Sequence, residues 1–161
     1  MEAPYSELCL LVGRERIDIN GHMNSTQYGL IIYEAHDLFC CALGFGPSYV
    51  EKYACGTVIL ESHMCYEKEV FEGDKLIVKS WLLAVDEKRM HYFHELINIT
   101  RDVRAATSEQ VELHVDLKAR KYAAFPKAVA LNLQSVVRSH LNQGLPKNIG
   151  SILRPPLNNW I

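Results

Sequence analysis

Asp18-Ile19-Asn20-Gly21-His22-Met23-Asn24 is followed directly by apolar side chains at Tyr28, Ile31, Ile32, Ala35, Leu38, Phe39 and Ala42. Their spacing predicts a helix over Ser25 to Leu43 with one buried face. Asn24 suits the N-cap, and Gln27 falls at the third helical position, a variant of the capping box. Gly44 supplies the stop, with Gly46 and Pro47 just beyond it. The seven-residue loop therefore delivers a carboxylate, an imidazole and a carboxamide to a helix N-terminus. Free backbone N–H groups and the helix dipole favour negative charge there. Such a place is suited to stabilising an oxyanion.

Working outward, Leu8 to Ile17 reads as a first strand that leads into the loop. Behind the helix, Gly44 to Gly56 is a Gly/Pro-punctuated connector with room for a short helix around Ser48 to Tyr53. From Thr57 the period changes to two. Val58, Leu60, Ser62, Met64 and Tyr66 alternate with Ile59, Glu61, His63, Cys65 and Glu67, which predicts a strand with one buried face. Glu72-Gly73-Asp74 is a tight-turn signal. Alternating strands follow over Leu76 to Leu83, His91 to Thr100 and Val111 to Lys118, separated by polar turns. Strands joined in this way predict an antiparallel meander. Pro126 opens a C-terminal helix with a stripe of Val129, Leu133, Val136, Val137 and His140. Pro146, Pro155 and Pro156 prevent its continuation.

The composition excludes several classes of function. The chain of 161 residues is long enough for one domain with a substantial core, about residues 8–122, with the C-terminal helix and tail at 126–161. Hydrophobic residues make up 48% and charged residues 22%, as in ordinary globular proteins. A net charge of -2 gives no basis for nucleic-acid or acidic-membrane binding. Five cysteines without a C-x-x-C pair read as reduced thiols, mostly filling the core. The N-terminal residues lack the regions of a signal peptide, and no apolar run approaches the ~20 residues of a membrane span. A cytoplasmic protein is the expectation. The element order predicts an α+β fold with one long helix on one curved antiparallel sheet. Unpaired sheet edges favour a homodimer, or a homotetramer built from dimers.

The run D-x-x-G-H-M-N (Asp18 to Asn24), with Tyr28 and Glu34 on the helix, resembles the 4-hydroxybenzoyl-CoA-thioesterase-like branch of the hotdog-fold superfamily. So does H-M-C-Y-E-K-E-V-F-E-G-D (His63 to Asp74). The segments Glu61 to Tyr66, His91 to His94, Glu112 to Arg120 and Gly144 to Ile152 are similar to thioesterases of carnitine breakdown. Members of that group act on betainyl-CoA, and some are fused to carnitine dehydrogenase.

The resemblance implies hydrolysis of an acyl-CoA with no cofactor beyond the coenzyme A of the substrate. It makes Asp18 the general base or nucleophile and the amide at Ser25 an oxyanion donor. Gly21 lets the loop turn closely past the substrate, and His22 and Asn24 orient the loop or bond the thioester. Without the resemblance, the same residues form an Asx-rich turn capping a helix. Tyr28, Glu34, Glu61 and His63 are candidates for substrate contact. A quaternary ammonium group needs aromatic faces and a carboxylate. Tyr28, Tyr66, Trp81 and Tyr92 supply candidates for the first, and Glu34 or Glu61 for the second. Arg101, Arg104, Lys118 and Arg120 are candidates for the phosphates of coenzyme A. His91 and His94 fall on opposite strand faces, which argues against a shared zinc ion; no metal is expected. A hydratase or dehydratase, and a non-catalytic acyl-CoA-binding protein, are the alternatives.

Overall fold

The computed structural model describes residues 1–147 together with Ile149 and Asn158. Helix α1 spans Ser25–Leu43, and Asn24 caps it: its Oδ1 accepts from the Thr26 N–H at 2.9 Å and the Thr26 hydroxyl at 2.7 Å. Gly44 ends the helix in the left-handed region, with φ 101°. Gln27 does not complete a capping box; its Oε1 accepts from Arg16 at 2.8 Å, which ties the helix start to the preceding loop. The buried face carries Tyr28, Ile31, Ile32, Ala35, His36, Phe39, Cys40 and Leu43. Burying Ile31, Ile32 and Phe39 stabilises the fold by about 1.5–3 kcal/mol each. Ala42, expected in this stripe, is exposed, and the polar residues His36 and Cys40 hold buried places instead.

Among the described residues six strands form one antiparallel sheet: β1 (Cys9–Leu11), β2 (Cys55–Tyr66), β3 (Lys75–Val85), β4 (Arg89–Asn98), β5 (Val103–Asp116) and β6 (Lys121–Tyr122). Their order is β1-β3-β4-β5-β2, with β6 paired to β5. This curved sheet around α1 is the hotdog architecture. The meander expected from sequence holds only for β3, β4 and β5. Strand β2 pairs with β5 at one edge, so Glu72-Gly73-Asp74 is not a hairpin turn. The segment between β2 and β3 instead passes the N-terminal end of α1, where buried Val70 accepts from the Met23 N–H at 2.7 Å. Gly73, at φ 83°, donates to Val12 O, and Asp74 accepts from the Phe71 N–H, Asn98 and Arg101. Burial disfavours the Asp74 carboxylate, but these donors outweigh it and hold its pKa below the ordinary value.

The first strand is also shorter than expected. It ends at Leu11, and Arg14–Arg16 form a 3-10 turn closed by N–H donation from Arg16 to Gly13 O and from Ile17 to Arg14 O. Clean alternation fails in β3, where Trp81 through Val85 are all buried. Leu82 and Val85 meet α1 and the C-terminal helix; Trp81 and Leu83 join Phe93 on the opposite face, with Ala3 and Ile149 against them. Alternation fails differently in β2, where Val58, Ile59 and Leu60 are all exposed at the open sheet edge.

The connector carries helix α2 (Pro47–Tyr53), and the C-terminal helix is α3 (Lys127–Asn142). Leu133, Val136, Val137 and His140 of α3 are buried, as the stripe predicts. The tail resemblance over Gly144 to Ile152 lies partly outside the described residues. Only Cys40 of the five cysteines is buried, so the core-filler expectation fails for the rest; all five are free thiols. Among the described residues, no single helix is long and apolar enough to cross a membrane.

Candidate active site

The loop before α1 is built by its own backbone. The Asp18 N–H donates to His22 O at 3.0 Å, and the Gly21 N–H donates to Asp18 O at 3.1 Å. Gly21 takes φ 84°, a conformation that costs an L-residue roughly 1–2 kcal/mol. The Asn24 N–H donates to Arg16 O at 2.9 Å, and Met23 is buried to 1% exposure as the loop's anchor. One Asp18 oxygen, Oδ1, accepts from the Asn20 N–H at 2.8 Å. The other, Oδ2, lies 3.5 Å from the Asn20 carboxamide nitrogen. The loop thus positions a half-exposed carboxylate with lone pairs to spare.

Asp18 lines a cleft of about 360 Å³ together with His22, Met23, Ser25, Tyr28, Tyr66 and the segment Glu67 to Glu69. Five residues singled out in the sequence (Asp18, His22, Ser25, Tyr28 and Tyr66) therefore converge on one site. At the helix start, the Thr26 N–H is used by the Asn24 side chain and the Gln27 N–H by Asn24 O. The Ser25 N–H has no acceptor among the described residues. Asp18 and Ser25 thus line one cleft, with a carboxylate that has lone pairs to spare and a helix-start N–H that has no acceptor among the described residues.

The remaining candidates separate clearly. Asn24 is occupied as the cap, so it does not bond the thioester through Oδ1. Gly21 shapes the turn without lining the cleft. Glu34 is exposed on α1, away from the cleft. Glu61 and His63 share a face of β2 as expected, but neither lines the cleft. Tyr28 and Tyr66 meet edge to face at 5.4 Å between ring centroids, whereas Trp81 packs against Phe93 and Tyr92 against Phe39. Burial raises the Tyr28 pKa, and its hydroxyl donates to Lys68 O at 3.1 Å. Arg101 pairs with Asp74 at 2.9 Å, and Arg104 pairs with Glu67 at 2.6 Å and Glu95 at 2.7 Å. Both arginines brace the sheet rather than line the cleft.

Sequence reasoning passed over Glu67, Lys68 and Glu69. They were visible as the charged run E-K-E behind β2, within a motif read only as strand and turn. His22 lies 3.8 Å from Glu69. Also missed was a buried polar group on α1 and the sheet. His36 Nδ1 lies 3.2 Å from His94 Nε2, His36 Nε2 lies 3.0 Å from Glu112, and His94 Nδ1 lies 2.8 Å from the Ser80 hydroxyl. Burial, with His36 beside it, holds the His94 pKa well below the ordinary value. His91 points to the other face and pairs with Glu109 at 2.7 Å, in keeping with the opposite-face expectation.

A curved sheet on a central helix, with a carboxylate and an amide at that helix's start, defines a hotdog-fold protein equipped for acyl transfer. The chain belongs to the thioesterase-like superfamily, whose family model matches residues 12–133. It is 29% identical over 142 residues to the betainyl-CoA thioesterase of Pseudomonas aeruginosa, covering 88% of this chain and 89% of that protein. It is 34% identical over 143 residues to the L-carnitine dehydrogenase/betainyl-CoA thioesterase of Agrobacterium fabrum, covering 86% of this chain but only 28% of that longer protein. Among solved structures, the SAV2348 protein of Staphylococcus aureus in complex with CoA superposes with a TM-score of 0.83 at 24% identity, covering 97% of this chain and 98% of that one. That last likeness is one of fold.

Proposed function

We propose that this protein is an acyl-CoA thioesterase, hydrolysing a short polar acyl-CoA to free acid and coenzyme A. The observation that carries the reading is that Asp18 and Ser25, the first residue of α1, line one cleft. Asp18 either takes a proton from the attacking water or attacks the thioester carbonyl itself. In both routes the carbonyl oxygen becomes negative and is met by the Ser25 N–H at the positive end of α1. The thiolate of coenzyme A then departs, and water supplies the remaining oxygen of the acid. Neither route needs a cofactor. Lys68, at the cleft, is the cation best placed for a phosphate of coenzyme A.

Betainyl-CoA is the first candidate substrate. Two perpendicular tyrosine rings, Tyr28 and Tyr66, share the cleft with Glu69, the aromatic and anionic groups that a trimethylammonium head requires, whereas Glu67 is already held by Arg104. The names of the P. aeruginosa and A. fabrum relatives support this reading. A second copy of the chain docked on the open edge of β2 would cover Val58, Ile59 and Leu60, and the exposed Leu30 and Tyr33 of α1 offer further apolar surface. We therefore assign a homodimer with a continuous sheet. Free thiols and a coenzyme A substrate suit a reducing, cytoplasmic setting.

The test is thiol release from betainyl-, acetyl-, butyryl-, benzoyl- and palmitoyl-CoA. A kcat/KM preference of tenfold or more for an uncharged acyl group, about 1.4 kcal/mol in transition-state binding, refutes the betaine assignment. No thiol release from any of them refutes the thioesterase assignment, and leaves a hydratase or an acyl-CoA-binding protein.

A further inference from the structure

Roughly 16 Å along α1 from Ser25, at 1.5 Å per residue, a second cavity opens against the helix. It has a volume of about 530 Å³, lined by Tyr33, His36, Cys40 and Glu112 and, at its mouth, by Val58 and Ile59 of the β2 edge, where the second copy assigned above would close it. The chemistry assigned to Asp18 makes no use of it. In its wall, His36 and Cys40 stand one helical turn apart on the same face of α1, and Glu112 rises from β5 beneath them. Their side chains are buried, with exposures of 3%, 7% and 4%.

We propose that His36, Cys40 and Glu112 form a binding site for a divalent transition-metal ion of the zinc class. Their donor atoms lie within 4.8 Å of one another. His36 Nε2 is 3.0 Å from Glu112 Oε1 and 3.4 Å from Cys40 Sγ, and Cys40 Sγ is 4.0 Å from Glu112 Oε2. A tetrahedral zinc ion with N, O and S bonds of about 2.0–2.3 Å sets its ligand atoms roughly 3.3–3.6 Å apart. The two Glu112 oxygens each face one partner, Oε1 His36 and Oε2 Cys40, so closing the site takes a carboxylate rotation that brings one oxygen toward both, over a span no wider than 4.8 Å. The donor set of imidazole, thiolate and carboxylate is one that zinc and cobalt accept.

The hydrogen bonds behind His36 are compatible with this role. If His36 Nε2 gives its lone pair to the metal, Nδ1 must carry the proton. That proton is then donated to His94 Nε2, 3.2 Å away, and the His94 Nδ1–H is donated to the Ser80 hydroxyl at 2.8 Å. Hydrogen bonds of this kind behind a ligating histidine hold its tautomer and ring orientation. Charge also balances. The metal takes the place of the Cys40 thiol proton, which passes to solvent. The resulting thiolate and the Glu112 carboxylate together neutralise the two positive charges in a low-dielectric wall. Three protein ligands leave the fourth tetrahedral position to water or a ligand from the cavity, the arrangement of open rather than closed zinc sites.

The test is titration of the full chain with Co²⁺ alone, after chelator treatment, read by absorption and metal analysis. One cobalt per chain is expected, with a thiolate-to-cobalt charge-transfer band. The band is expected to vanish in Cys40→Ser and to persist in Cys65→Ser, which removes a thiol lying 3.9 Å from His63. Glu112→Gln keeps shape and hydrogen bonding, and so stays informative if the cysteine variant fails to fold; its Co²⁺ affinity is expected to fall at least tenfold. Absence of bound cobalt at tenfold excess, a band that survives in Cys40→Ser, or unchanged affinity in Glu112→Gln overturns the proposal.

Discussion

Replacing Ser25 with proline isolates the backbone amide from every other feature of the cleft. Ser25 is the first residue of α1, where proline is tolerated because its missing N–H has no intrahelical acceptor and its φ suits the helix. The preceding residue must then avoid the helical region, and Asn24 already sits at φ −58°, ψ 139°. The cap also survives, because Asn24 Oδ1 bonds Thr26 rather than Ser25. The fold should therefore be kept, with a stability change under about 1 kcal/mol. Losing one oxyanion donor costs about 10²–10³ in kcat, or roughly 2.7–4 kcal/mol of barrier. Ser25→Ala removes the hydroxyl but keeps the N–H, and so serves as the control. The assay is steady-state thiol release on both variants, with circular dichroism and Tm alongside. A folded Ser25→Pro protein whose kcat stays within threefold of Ser25→Ala would show that the amide is not the oxyanion donor.

Asp18→Asn keeps Oδ1 as the acceptor for the Asn20 N–H but can neither take a proton nor attack; kcat should fall ~10²–10⁴-fold with Tm little changed, and near-normal turnover dismisses the role. Gly21→Ala meets no atom within 4 Å, so its cost is the strain of φ 84° alone, about 1–2 kcal/mol in denaturant titration; a change below 0.3 kcal/mol contradicts it. Ile59→Lys puts a charge at the open edge of β2 and should give a monomer by light scattering; an unchanged dimer places the interface elsewhere. Acidification should destabilise the fold between about pH 6.5 and 4. Burial lowers the His140 pKa from 6.5 to about 4, and its Nδ1 must stay unprotonated to accept from the Leu82 N–H at 3.0 Å. The unfolded chain binds that proton below about pH 6.5 while the folded one resists it, so stability present at neutral pH is lost as pH falls, by up to about 3 kcal/mol. His140→Gln should flatten that slope in pH-dependent unfolding, and an unchanged slope refutes the assignment.

The loop and helix were legible in the sequence because their determinants are local. Asn24 caps where a cap is expected, Gly44 stops the helix, and the apolar spacing marks its buried face. The cleft was legible only in part. Asp18, His22, Ser25 and Tyr28 lie within one short stretch, so the chain itself brings them together. Glu67, Lys68 and Glu69 reach the same cleft only because β2 pairs with β5 instead of β3, a long-range choice that alternation cannot reveal. Periodicity also misled at β2 and β3. Val58, Ile59 and Leu60 look like core residues but lie at an open edge, while Trp81 to Val85 are covered on both faces. In each case the decisive fact is which surface packs against the strand, a property of the whole fold.

The buried polar group on α1 follows a different logic from the rest of the core. Hydrocarbon at His36, Cys40, His94, Ser80 and Glu112 would fill the same layer without desolvating any charge. Replacing a buried ionic pair by well-packed apolar side chains is often neutral or stabilising. Leaving any one of these groups unpaired costs about 1–3 kcal/mol, and more for a charge. Here each has a partner: His36 with His94 and Glu112, His94 with Ser80, and Cys40 within 3.4 Å of His36. Such a network tolerates the interior, yet it gains little there that hydrocarbon would not supply. Three of its members, His36, Cys40 and Glu112, line a cavity, while His94 and Ser80 are sealed behind them. Stability alone therefore gives no preference for imidazole, thiol and carboxylate at that wall, whereas the proposed coordination of an ion uses all three donors.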